Sequence, residues 1–495
     1  MSSDAKGQQA FLKIREVTLG DASIVAMEDF LCPLEGRQHS VTETIFRKYE
    51  PPNWDLARLR TYVDMLRAFG FNSIQLYDQW ESYVDAGWGI DSTGWPKVSD
   101  DGWKVEPRDW AQKVDAVADY AHTKGLRTTL FVWGNTGFDF RTNEIFWRLC
   151  PNVRAEREVL ERHWDHQAAH APHFDHFITH WGDPGGCNRN GCTIETAQHL
   201  HNEIVERFRT HNPEIESTFS LWMLDSPRFG IWPGYEGPKT VLDSGILPDD
   251  VMVCVHGEPD KLDFDQVREI VRAGRKAGVW GWYTADNEIY PSLHVRTSAL
   301  KKHFSSLPGE AHEMLSWYSI DSNNHGLNLH NLYVAAELMR DPKADVERTV
   351  GEFITGAFGG ENVERVRKLF SAIETIRPMW PNTYGDSPPD VKLAREAHSL
   401  ARDITIPDGF QPAFPVTLSP RELADELLAQ TEVIVEFAEF SAAAADVNKL
   451  KEQGASAERL AAAVAKLPSV KRPTEWMTNL EYCRYLAILD GLKKT

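Results

Sequence analysis

PRDWAQKVDAVADYAHTKG (Pro107–Gly125) runs directly into LRTTLFVW (Leu126–Trp133). The first stretch reads as an amphipathic helix with proline in its opening turn and glycine at its stop. The second is a nearly continuous apolar run of strand length, the pattern of a strand covered on both faces. Together they form one helix-then-strand unit, and the question is how often it recurs.

The unit recurs along the first two thirds of the chain. Strands are expected at Ser23–Met27, Asn72–Tyr77, Arg127–Trp133, His176–Trp181, Ser217–Leu224, Val251–Val255, Val279–Tyr283 and Met314–Ile320. Helices are expected at Asn53–Phe69, Pro107–Lys124, Glu161–His170, Glu195–Thr210, Phe264–Lys276, Thr297–Phe304 and Leu329–Met339. Eight strands, most followed by a helix, predict an α/β fold of the (β/α)8 TIM-barrel type. An open doubly wound sheet is the competitor, but no glycine-rich phosphate loop follows the first strand. Beyond Asp341 the strand signals stop. Val346–Ala357, Val363–Ile376, Val391–Ala401, Pro420–Asn448, Ala457–Leu467 and Trp476–Leu492 read as helices. The expected domains are therefore a catalytic barrel over 1–341 and an all-helical C-terminal domain over 342–495.

Composition narrows the function. The 495 residues carry a net charge of −20 and show no basic patch, so nucleic acid is not an expected partner. No run of about 18 apolar residues occurs, so no membrane span is expected, and a cytoplasmic location is the default. Six cysteines in this length do not make a disulfide framework. Seventeen tryptophans either fill a large core or stack on sugar rings.

A barrel of this type places its chemistry at the C-terminal strand ends. Those ends carry Asp78, Trp80 and Glu81; Trp133; His180, Trp181 and Asp183; Asp225 and Arg228; His256 and Glu258; Tyr283, Asp286 and Glu288; and Asp321. A rim of acids and aromatics suits glycoside hydrolysis. One carboxyl protonates the leaving oxygen, a second activates water or attacks, and aromatic faces hold the ring. Asp183, in a Gly/Pro turn beside Trp181, is the expected acid, since apolar flanks favour a protonated carboxyl. Glu258 and Asp286 are the expected base or nucleophile, with Glu288 competing for the role unless it pairs with Arg296. Asp78, Trp80, Glu81, Trp133, His180, Trp181, Asp225, Arg228, His256, Tyr283 and Asp321 are the expected sugar contacts. Arg189 and Arg228 could clamp a uronate, although internal ion pairs suit them better.

Hydrolysis by this route needs no cofactor. Its partner is a carbohydrate substrate, and the helical domain offers faces for a homodimer. Two other readings stay open. The same rim holds enough imidazoles and carboxylates for a metal-dependent sugar isomerase, epimerase or lyase, and a non-catalytic carbohydrate-binding protein would also carry it. Cys187 and Cys192 make a weak metal signal and read better as a local disulfide or free thiols. His163, His166 and His170 share a helix face, read as a solvated one.

Leu329–Glu374 (LHNLYVAAELMRDPKADVERTVGEFITGAFGGENVERVRKLFSAIE) resembles the segment joining barrel to helical domain in bacterial family 67 α-glucuronidase-like glycoside hydrolases. WYTADNEIYPSLHVR (Trp282–Arg296) is similar to their seventh-strand region. The resemblance implies Asp183 as acid, where that family has a glutamate. It implies Glu258 with Asp286 or Glu288 as the pair acting on water.

Overall fold

The computed structural model describes residues 10–19, 54–77, 110–135, 149–181, 186–222, 232–257, 262–285, 293–322, 328–377 and 389–470, with short pieces between and after them. Eight parallel strands close into a barrel: β1 (Arg15–Leu19), β2 (Ser73–Tyr77), β3 (Arg127–Trp133), β4 (His176–His180), β5 (Glu216–Ser220), β6 (Met252–His256), β7 (Ala277–Ala285) and β8 (Leu315–Ser322). The fold is thus the expected (β/α)8 barrel, with a helical C-terminal part.

One expected strand is corrected. The first barrel position is filled by REVTL (Arg15–Leu19), not by Ser23–Met27, which lies outside the described residues. Glu16 pairs with Ser73 on one side and Ser319 on the other, and this closes the ring. The hydrophobic pattern pointed to the more apolar segment, but this interior position is polar, so burial did not require an apolar strand.

Around the ring lie α1 (Leu56–Phe69), α2 (Trp110–Thr123), α3 (Arg154–Ala168), α4 (Ile194–His211), α5 (Pro238–Asp243), α6 (Phe264–Arg272), α7 (Thr297–Ser306) and α8 (Leu329–Arg340). Local chemistry sets their ends. The Asp55 side chain accepts from the backbone N–H of Arg58 to start α1, and Gly70, at φ 108°, ends it. The α3 helix begins earlier than its apolar pattern indicated, at Arg154, because its first turn is polar. Between β2 and α2, and again after β3, short antiparallel strands form a small sheet ordered Ser82–Tyr83, Trp103–Glu106, Glu144–Phe146, Gly137–Asp139. Both contributing loops leave C-terminal strand ends.

The helical part contains α9 (Val346–Phe358), α10 (Val363–Ile376), α11 (Val391–Arg402), α12 (Pro420–Glu452) and α13 (Ala457–Val464). The expected Trp476–Leu492 helix lies largely outside the described residues. A capping box of Ser419 and Glu422, with proline at the first helical position, starts the 33-residue α12. An aromatic cluster joins this part to the barrel. Phe69 of α1 meets Tyr333 at 5.1 Å and Phe414 at 5.2 Å, and Phe414 stacks on Phe353 at 5.7 Å. Among the described residues no helix is long and apolar enough to cross a membrane.

Close backbone approach explains Gly281 in β7. A Cβ there would lie 1.6 Å from the carbonyl oxygen of Gly257. Gly281→Ala is therefore expected to cost about 3 kcal/mol, the upper end for over-packing, in urea unfolding. Gly309→Ala, where a Cβ meets nothing within 4 Å, should leave the midpoint unchanged.

Candidate active site in the barrel interior

Strand register defines what fills the barrel. Near the N-terminal ends the filling is polar. Glu16 is fully buried, and its Oε2 accepts hydrogen bonds from Ser73 Oγ at 2.6 Å and Thr129 Oγ1 at 2.5 Å. Thr129 Oγ1 also meets His176 Nδ1 at 3.1 Å, and His176 Nε2 meets Thr218 Oγ1 at 2.7 Å. Five strands are thereby joined through side chains. Burial raises the Glu16 carboxyl above its ordinary range, although the Ser73 and Thr129 hydrogen bonds pull the other way. Burial, with Arg127 and Lys276 nearby, holds His176 well below its usual range, so its imidazole is neutral.

Toward the C-terminal ends the filling is aromatic. Trp133 is paired with His180 across β3 and β4, and His256 with Trp280 across β6 and β7. His180 stacks on Phe131, centroids 4.1 Å apart and planes 13° from parallel. Trp280 lies 4.7 Å and Trp222 5.4 Å from the same imidazole. Trp222 also meets His256 at 5.8 Å and Trp133 at 6.3 Å. These rings make a continuous floor under the barrel mouth. Each buried tryptophan removes roughly 150–250 Å² of surface from water, worth about 4–6 kcal/mol.

His180 is fully buried, and neither ring nitrogen has a hydrogen-bond partner among the described residues. Burial first, and His256 second, depress its pKa well below the ordinary value. It is a neutral polar group held inside an apolar shell. Gln75, equally buried, likewise has neither amide atom partnered among the described residues.

The structure sorts the sequence-based site residues. Trp133, His180 and His256 come together in the floor. Trp181 is placed elsewhere: it is fully buried behind the strand, stacks on Phe219, and donates from Nε1 to Thr179 Oγ1 at 2.9 Å. A Cβ at Gly134 would meet its ring at 2.5 Å. Its side chain alternates with that of His180, which is why it faces the helices. Tyr283 lies within β7, and Asp321 within β8 beside Thr18 and Trp282 in register. Asp78, Trp80, Glu81, Asp183, Asp225, Arg228, Glu258, Asp286 and Glu288 lie outside the described residues. Phe131, Trp222 and Trp280 are floor residues that the strand reading did not single out, although Phe131 alternates with Trp133 along β3 and Trp222 lies two residues beyond β5.

The chain returning from β7 is firmly held. The Asn328 side chain accepts from the His294 backbone N–H at 2.8 Å, and that of Asn331 accepts from Arg296 at 2.9 Å. The buried Arg377 guanidinium, from the end of α10, donates to the Leu293 carbonyl at 2.6 Å. Helices thus fix where the segment that carries Asp286 and Glu288 rejoins the fold. Arg296 is buried here rather than sitting on the rim.

Of the two readings left open for Cys187 and Cys192, free thiols hold, and the solvated histidine face does not. Cys187 and Cys192 are not bonded to each other; both are free, and Cys150 joins them. The histidine face of α3 is not solvated. His163 and His170 are buried, and burial lowers His163 to about 3. His170 Nδ1 meets Asp115 Oδ1 at 2.6 Å. Arg189 pairs internally with Glu156 at 2.6 Å.

No family model and no curated protein matches this sequence. Among solved structures, a GH138 enzyme targeting pectin rhamnogalacturonan II is similar, with a TM-score of 0.52 and 10% identity. The alignment covers 98% of this chain and 63% of that one, so this chain spans under two thirds of its length. An O-GlcNAc hydrolase from Thermobaculum terrenum aligns at a TM-score of 0.48 and 10% identity, over 97% of this chain and 94% of its own. At this identity the GH138 likeness establishes the fold.

The Glu16 network gives a signed pH test. A carboxyl raised in the folded state binds more protons than in the unfolded chain, so its contribution to stability falls as pH rises from about 4.3 through the raised value. Glu16→Gln is expected to remove that part of the decline. Urea unfolding of both proteins across pH 4–8 measures it, and parallel curves would contradict the assignment.

Proposed function

We propose that this chain is an exo-acting glycoside hydrolase that cleaves a terminal sugar by carboxylate acid/base catalysis, with a uronic acid as the first glycone to test. The observation that carries this reading is the aromatic floor of Trp133, His180, Trp222, His256 and Trp280, set beneath strand ends whose sequence supplies the acids. An aromatic base under a carboxylate-bearing rim favours ring stacking from below and proton transfer from above.

In this reading Asp183 donates its proton to the leaving oxygen. Glu258 and Asp286, with Glu288 as the alternative to Asp286, activate water or attack the anomeric carbon. Asp78, Glu81, Asp225 and Asp321 accept hydrogen bonds from sugar hydroxyls, Trp80 and Tyr283 flank the ring, and Arg228 meets a carboxylate on the glycone. Trp133 and His256 support the ring from the floor. A neutral His180 beneath them keeps positive charge away from the acid, which would otherwise ionise too readily. The family 67 resemblance of Leu329–Glu374 and Trp282–Arg296 supports a uronate as glycone. We assign catalysis to residues 1–341 and a bracing role to the helical residues 342–495, whose remaining faces suit a homodimer.

The test is a panel of aryl glycosides and uronic-acid oligosaccharides incubated with the purified chain. Release of one glycone is expected. Asp183→Asn should then lower kcat about 10²–10⁴-fold, the usual worth of a positioned acid, with an unchanged unfolding midpoint. Tight binding of a glycan without release from any panel member would replace the hydrolase reading with a binding one.

A further inference from the structure

The three buried cysteines are unused by the barrel chemistry. Cys150 follows the loop that leaves β3, and the backbone N–H of Leu149 donates to the Asn135 carbonyl at 2.8 Å, beside the strand end. Cys187 and Cys192 follow the loop that leaves β4. One sulfur from each of the three lies within 4.8 Å of the others, and Cys150 Sγ and Cys192 Sγ are 3.8 Å apart. Among the described residues this is the sole histidine, cysteine or carboxylate group with metal-holding geometry.

Several features build this cluster. Asn190 and Gly191 take positive φ of 50° and 76°, and the Cys192 N–H donates to the Arg189 carbonyl at 3.0 Å. This tight turn brings Cys192 back beside Cys187. The side-chain amides of Asn152 and Asn190 donate toward Cys192 Sγ at 3.4 Å and Cys150 Sγ at 3.5 Å, as suits sulfurs carrying negative charge. The Glu156 carboxylate accepts from the Cys150 N–H at 2.5 Å and from Arg189 at 2.6 Å, locking one loop to the other.

We propose that Cys150, Cys187 and Cys192 bind a zinc ion that staples the loop after β3 to the loop after β4 at the C-terminal face of the barrel. Three sulfurs cannot all pair as disulfides, and 3.8 Å is far beyond the roughly 2.05 Å of an S–S bond. It does match the edge of a tetrahedron whose metal–sulfur bonds are about 2.3 Å. Thiolates select zinc over the hard divalent cations. Each thiol gives its proton to solvent as its sulfur binds, no electron is transferred, and a nitrogen or oxygen ligand completes the fourth corner. The proposal does not depend on the glycosidase reading, because metal content reports it.

The full chain, purified without chelator and assayed by elemental analysis, is expected to carry one zinc. Cys150→Ser, Cys187→Ser and Cys192→Ser should each lose it, while Cys254→Ala keeps it. Should the serine variants fail to fold, X-ray absorption of the zinc-loaded wild-type chain decides the matter, with three sulfurs at about 2.3 Å expected. Failure of the wild-type chain to take up zinc, a zinc shell without sulfur, or a Cys150–Cys192 disulfide in non-reduced peptide mapping would each overturn the proposal.

Discussion

Closure of the strand ring is the constraint on which the rest of this molecule depends. Arg15–Leu19 is only five residues long, yet it pairs with β2 on one side and β8 on the other. Without it the sheet would have two open edges, each a row of unpaired amides and carbonyls. Closure also creates an interior that must be filled at crystal-like density. The chain fills it in two chemically different ways. The lower filling is a hydrogen-bonded chain from Ser73 through Glu16, Thr129 and His176 to Thr218. The upper filling is the ring cluster about His180.

That division has a functional logic. A buried carboxyl that receives two hydroxyl hydrogen bonds cross-links strands at the end away from the mouth, where no chemistry is asked of it. The layer above it is built from packed aromatic rings around His180. A charged residue in that layer would perturb nearby ionisable groups strongly at low dielectric. Burial forces His180 into its neutral state, so it adds no charge to this layer. The helical part braces this arrangement from outside, with Arg377 holding the chain that returns from β7.

Much of the barrel was legible because apolar stretches of strand length recur between helix patterns. RTTLFVW was read with its observed limits, since both of its faces are covered. REVTL was not, because the more apolar SIVAM lies close behind it and its inward Glu16 is satisfied by partners distant in sequence. The short strands of the small sheet are two to four residues long, below what periodicity can reveal. For the site, period-two alternation along β4 separates His180, which faces inward, from Trp181, which does not. The reading by proximity to the strand end treated them alike. The thiol cluster was half legible: Cys187 and Cys192 are close in sequence, but the whole of α3 separates them from Cys150.

The central claim is that sugar chemistry takes place at the C-terminal face of this barrel, above the aromatic floor. A crystal structure of the chain with a planar, cationic sugar mimic of the hydrolytic transition state tests it directly. The account predicts the mimic at the barrel mouth, its ring over Trp133 and His256. It also predicts two carboxylates flanking the anomeric position, about 5–5.5 Å or about 6.5–9.5 Å apart according to the stereochemical course. A mimic seated elsewhere, or at the mouth with no pair of carboxylates in reach, would contradict it.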